Sequence, residues 1–92
     1  MRLSLALTQK LPKSATKQLQ ARRKGTIVFT MQSEGLLIEG RYTINSTDGR
    51  LEATSRWIKF RKAAKLTIGR MVKVDVSRCP ECSMLFMNFL DV

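Results

Sequence analysis

The stretch Trp57 to Val76, WIKFRKAAKLTIGRMVKVDV, constrains this chain more than any other. Trp57 and Phe60 are three residues apart and Ala64 lies a further turn on, the spacing that puts all three on one side of a helix. Gly69 then supplies a turn. Val72, Val74 and Val76 alternate with Lys73 and Asp75, the period of a strand with one buried face. A short helix with an aromatic foot, a tight turn and a core strand are therefore expected in that order. The outward side of the same unit carries Lys59, Arg61, Lys62, Lys65, Arg70 and Lys73, with no acid before Asp75.

The rest of the chain reads mostly as strands. Leu3, Leu5 and Leu7 alternate with Ser4, Ala6 and Thr8, which predicts a first strand with one apolar face. Pro12 ends it, and Ser14 is placed to cap a helix bearing Ala15 and Leu19 that Gly25 closes. Thr26 to Met31 predicts a second strand, and Ser33-Glu34-Gly35 a turn. In the next strand Leu36, Ile38, Tyr42 and Ile44 share one side, with Gly40 allowing a bulge. Asn45 to Gly49 is turn chemistry, and Arg50 to Thr54 a short returning strand. Met84 to Leu90 is apolar on both faces, so it is expected to be central or covered by a helix.

At 92 residues the chain has room for one core, so residues 1–92 are expected to form a single domain. Many short strands joined by turns favour closure over a flat sheet, because closure removes exposed edges. The expected architecture is mainly β, an open barrel of about seven strands with two short α-helices. The first eight residues are too short an apolar run for a signal peptide, and no stretch approaches a membrane span. A soluble intracellular protein is the expectation.

Several chemistries find no support. There is no His to serve as general base at neutral pH, and the seven carboxylates are dispersed rather than paired. The glycines never approach the spacing of a phosphate-cradling loop. Cys79 and Cys82 form a lone CxxC without further Cys or His ligands, so they read as two thiols at a turn beside Pro80. No catalytic residue, cofactor, metal or small-molecule substrate is expected.

Binding remains. Seventeen Lys plus Arg stand against seven Asp plus Glu, a net charge of +10, and no acid precedes Gly25. That much like charge in a small fold opposes compactness unless a polyanion neutralises it. Two polar segments are expected to project as arms: Thr8 to Lys13, with Gln9, Lys10 and Lys13, and Arg41 to Arg50, with Asn45, Ser46 and Thr47 at its tip. Arg41, Arg50 and Arg56 surround that tip. Lys and Arg neutralise phosphates, whereas Arg, Asn, Gln, Ser and Thr reach base edges. Two such arms could clamp a duplex in its major groove. RNA is less well served, because Trp57 and Phe60 read as core rather than as exposed stacking platforms.

The spacing Trp57-x-x-Phe60, Leu66 and Gly69, followed by alternating valines, resembles the hallmark segment of the plant B-three DNA-binding domain, in its divergent reproductive-meristem branch. Leu11-Pro12-Lys13 is similar to that family's Leu-x-x-Pro-Lys, and Met84 to Leu90 falls where its last strand should. Arg56 stands where the family has Gly, and Arg70 where it has Asp. The resemblance implies a seven-stranded pseudobarrel, a nuclear location, a role in transcription regulation, and double-stranded DNA read by two arms. It carries the N-terminal arm onto Gln9, Lys10 and Lys13, and the C-terminal arm onto Arg41, Tyr42, Asn45, Ser46, Thr47 and Arg50. A rival resemblance, carried by PKSATKQL and RKAAKLTIGRMV, is to a bacterial AbrB-like split barrel, which implies a cytoplasmic or nucleoid location. A self-associating interaction domain, a homo- or hetero-dimer pairing through Met84 to Phe89, is a further alternative.

Overall fold

The computed structural model describes residues 9–67 and 72–91. Its described elements are β1 (Gln9–Lys10), α1 (Lys13–Leu19), β2 (Lys24–Met31), a 3-10 turn (Gln32–Glu34), β3 (Leu36–Ile44), β4 (Leu51–Ser55), α2 (Trp57–Ala63), β5 (Val72–Arg78) and β6 (Leu85–Asp91). The expected strand through Leu3, Leu5 and Leu7 lies outside the described residues, as do Gly69 and Arg70. The described strands form one six-stranded sheet in the order β1-β4-β3-β2-β6-β5. The fold is mainly β, a curled open sheet forming a half-barrel, with two helices.

Alternation decides which face closes inward. Ile27, Phe29 and Met31 of β2, Leu51 and Ala53 of β4, and Leu85, Met87 and Phe89 of β6 are all buried. Val72, Val74 and Val76 of β5 pack against the same core. The foot of α2 plugs this concave face: Trp57, Phe60 and Ala64 are each 0% exposed. Phe60 lies 5.4 Å from Phe29 and 5.0 Å from Phe89, ring centre to ring centre, and Trp57 lies 5.8 Å from Phe89. Aromatic contacts of this kind add specific geometry to the area they bury.

Gly40 is where β3 meets that cluster most closely. A Cβ there would fall 2.3 Å from the Ser55 carbonyl oxygen and 2.9 Å from Phe29 Cε2. The β3–β4 register slips between Arg41 and Tyr42, immediately after it, so the anticipated irregularity is present. Gly25 has a different role from the one expected. Helix α1 ends at Leu19 with Gln20 in the left-handed region, and Gly25 lies within β2, where the Tyr42 ring covers it and a Cβ would sit 3.0 Å from Tyr42 Cε1. Nor does Ser14 cap α1. The helix begins two residues earlier, at Lys13 with Pro12 as its N-cap, and Thr16 Oγ1 donates to the Pro12 carbonyl.

Strand β6 lies between β2, to which it runs parallel, and β5, to which it runs antiparallel. An interior position is one of the two arrangements expected for it, and its pairing with β2 runs over Leu85 to Asn88. At the β5–β6 turn, Cys79 and Cys82 are joined as a disulfide, Cα atoms 5.6 Å apart. This corrects the reading of two separate thiols: the turn brings the cysteines within bonding reach.

Candidate nucleic-acid interface

The strand directions collect one end of the sheet. β2 and β6 begin there, β3 and β5 finish there, and β4 starts there. The loop Asn45 to Arg50 joins β3 to β4 at this end, and its geometry is fixed from within. The Asn45 carbonyl accepts from the Gly49 amide at 2.9 Å, and Asn45 Oδ1 accepts from the Thr47 amide at 2.7 Å. Gly49, at φ 70°, takes the left-handed residue that closes the turn. Asp48 Oδ1 accepts from the Arg50 amide at 3.0 Å. Ser46 and Thr47 remain exposed at the tip.

The second expected arm lies directly beside the first. Leu11 N donates to the Leu51 carbonyl at 2.9 Å, which brings residues 9 to 13 along β4. Two contacts between side chain and partner then stitch the arms together. Lys10 Nζ meets Asp48 Oδ2 at 3.1 Å, and Arg50 Nε donates to the Leu11 carbonyl at 2.9 Å. Lys13 passes over Gly49, its Cε 3.7 Å from where a Cβ would stand. The Asp48 carboxyl is held below the usual carboxylate range, first by the Arg50 amide and next by Lys10. Both expected arms lie on the same side of the fold and are bonded to each other as one ridge.

Not every expected contact residue belongs to that ridge. Gln9 is 2% exposed, in β1 rather than on a projecting loop, with its amide nitrogen donating to the Lys10 carbonyl. Tyr42 is 1% exposed and faces the core, where its ring covers Gly25. Burial pushes the Tyr42 phenol up, against the opposing pull of the Arg22 charge and of a hydrogen bond with the Arg22 backbone. Both residues are buried rather than displayed on a projecting arm. Arg41 is exposed on the outer face of β3, its guanidinium donating to Thr26 Oγ1 at 3.2 Å. Arg56 sits past the far end of β4, at φ 66°, and with Glu39, Arg41 and Ser55 lines a shallow polar cleft. The five residues of β4 separate Arg56 from Arg50, roughly 17 Å of strand. Lys10, Lys13, Asn45, Ser46, Thr47 and Arg50 are thus brought together, and Arg41 and Arg56 form a separate pair.

The ridge also acquires cations that the expected contact set lacks. The Arg23 carbonyl accepts from the Ile44 amide at 2.7 Å, which places the exposed run Arg22-Arg23-Lys24 against the base of the Asn45 to Arg50 loop. Arg78, at the end of β5, donates from Nη1 to the Gln20 carbonyl at 3.1 Å. The signal for the run was its three adjacent cations in an acid-free segment; what placed it was the β2–β3 register. Among the described residues no cluster of His, Cys, Asp or Glu could hold a metal ion, and no helix is long and apolar enough to cross a membrane. Compared with models of known protein families and with curated proteins, the chain matches none.

Proposed function

We propose that this chain is a non-catalytic, double-stranded DNA-binding module of the transcription-factor type, acting in the nucleus and built like a plant B-three domain. On this reading the whole fold is a seven-stranded pseudobarrel. One observation carries the proposal: the two polar arms converge into a single ridge flanked by Lys13, Arg22, Arg23, Lys24 and Arg50. A protruding two-stranded turn suits a major groove about 12 Å wide, with Ser46 and Thr47 facing base edges and the flanking cations meeting phosphates.

The test is a titration of labelled random and selected duplexes by fluorescence anisotropy over a range of salt. The logarithm of the affinity should fall linearly with the logarithm of salt concentration. Replacing Arg22, Arg23 and Lys24 together by Gln should make that slope shallower by about 2 to 3, at roughly 0.9 per lost phosphate contact. A chain that ignores duplex DNA at low ionic strength, or a triple variant with an unchanged slope, would refute the proposal.

A further inference from the structure

Lys10 and Asp48 are 38 residues apart and bonded at the crest of the ridge. An acid there is unexpected on a surface that is to meet phosphates. The Lys10 ammonium, the obvious phosphate ligand of the first arm, is already engaged by it. Side-chain exposures of 37% and 36% leave the pair open to water, and pairs so exposed are weak enough for another anion to displace the carboxylate. The opposite carboxylate oxygen is held separately by the Arg50 amide, so Asp48 keeps its place whether or not Lys10 stays.

Resting on the DNA-binding reading, we infer that Asp48 is a specificity-determining residue: it competes with DNA phosphates for Lys10, so that sequence-independent binding is held down. A phosphate anywhere along a duplex can recruit Lys10 only by displacing Asp48, and it meets the repulsion of that carboxylate as it approaches. Correct seating in a groove supplies base-edge contacts from the tip that outweigh this cost; incorrect seating does not. Selectivity is then gained by penalising the wrong partner rather than by adding contacts to the right one.

Asp48→Asn tests this without dismantling the turn, because the amide oxygen still accepts from the Arg50 amide. Releasing Lys10 adds one phosphate contact, so the salt slope for a random duplex steepens by about 0.9 and affinity at 0.1 M salt rises about eightfold relative to the 1 M limit. Affinity for a selected duplex rises less, and the ratio of selected to random binding narrows. Adding Lys10→Met to Asp48→Asn should abolish the gain on random duplex. Glu34→Gln removes the same charge in the turn after β2, at the opposite end of the sheet, and over that distance salt screening limits its effect to roughly twofold. If Asp48→Asn binds random duplex no tighter, or keeps its gain without Lys10, the inference falls while duplex binding by the wild-type chain stands. Absence of duplex binding by the wild-type chain at low salt would instead remove the reading on which it rests.

Discussion

Thr16→Val is the sharpest test of how α1 is tied to the interface. Strand β1 ends at Lys10, and beyond the Leu11 amide bonded to the Leu51 carbonyl the chain turns away at Pro12. The Leu51 amide therefore finds no backbone partner on that side. Thr16 Oγ1 takes its place, accepting from Leu51 N at 3.0 Å while donating to the Pro12 carbonyl at 3.1 Å. Thr16 is 6% exposed and Leu51 0%, so water has little access to the pair. Valine has the same shape and removes both bonds. An orphaned buried donor costs about 1–3 kcal/mol, and the extra apolar methyl returns at most about 0.8 kcal/mol. A net loss of about 0.2–2 kcal/mol should lower Tm by roughly 1–15 °C in a chain of this size. Urea titration followed through the single, fully buried Trp57 gives the free energy, and amide exchange should accelerate selectively at Leu51. A count of buried apolar area alone predicts the opposite sign. A Thr16→Val protein as stable as the wild type would therefore refute the assignment of the hydroxyl as a sheet partner.

Gly40→Ala should be costly for so small a change, about 1–3 kcal/mol in urea titration, because its Cβ would meet the Ser55 backbone carbonyl at 2.3 Å and β3 and β4 would have to part. The pH profile of stability should carry the mark of Asp48, whose folded pKa is depressed: the Asp48 contribution is complete above the ordinary carboxylate pKa of about 4 and is lost as pH falls through the lower folded value. Melting curves of wild type and Asp48→Asn should accordingly differ near neutrality and converge in acid. Tyr42 is the only tyrosine, so phenolate absorbance on alkaline titration should report a midpoint above the ordinary value of about 10, returning to it in denaturant. Since the folded phenol is the one raised, stability should decline as pH climbs past the unfolded value.

Period-two and period-three patterns carried most of the local structure. Trp57, Phe60 and Ala64 announced the buried foot of α2, and Gly40 the irregularity in β3, because both depend on residues close in sequence. Tyr42 is instructive. Its alternation with Ile38 and Ile44 already assigned it to the inward face, yet the family resemblance carried it onto the DNA-contacting arm; burial follows the pattern. Gln9 differs, since its burial is set by pairing with Ala53 in β4, and nothing in the local sequence encodes that register. The same holds for Gly25, whose need for a bare Cα arises from a ring in β3. Lys10 and Asp48 each read as ordinary arm residues; only the folded sheet makes them a pair. The disulfide escaped because a CxxC between two strands has no fixed geometry until the turn between them is known.

Net charge alone does not single out the ridge, because the far end of the sheet is basic too. Lys59, Lys62 and Lys65 are exposed on and just after α2, and Arg56 precedes it. At physiological ionic strength exposed charges act over about 8 Å, so both ends attract a polyanion and neither is selected by field strength. What differs is what the cations surround. Those of α2 flank a helix whose large side chains are spent on the core. Those of the ridge flank a turn in which Asn45 and Asp48 hold the amides of Thr47, Gly49 and Arg50, with Ser46 and Thr47 exposed. Ordering the turn in advance spares binding the entropy of fixing it. On the DNA-binding proposal, a stitched ridge should therefore lose less on docking than two independent arms would, and the gain should appear in discrimination between seated and unseated complexes rather than in bulk attraction, which the remaining cations would provide.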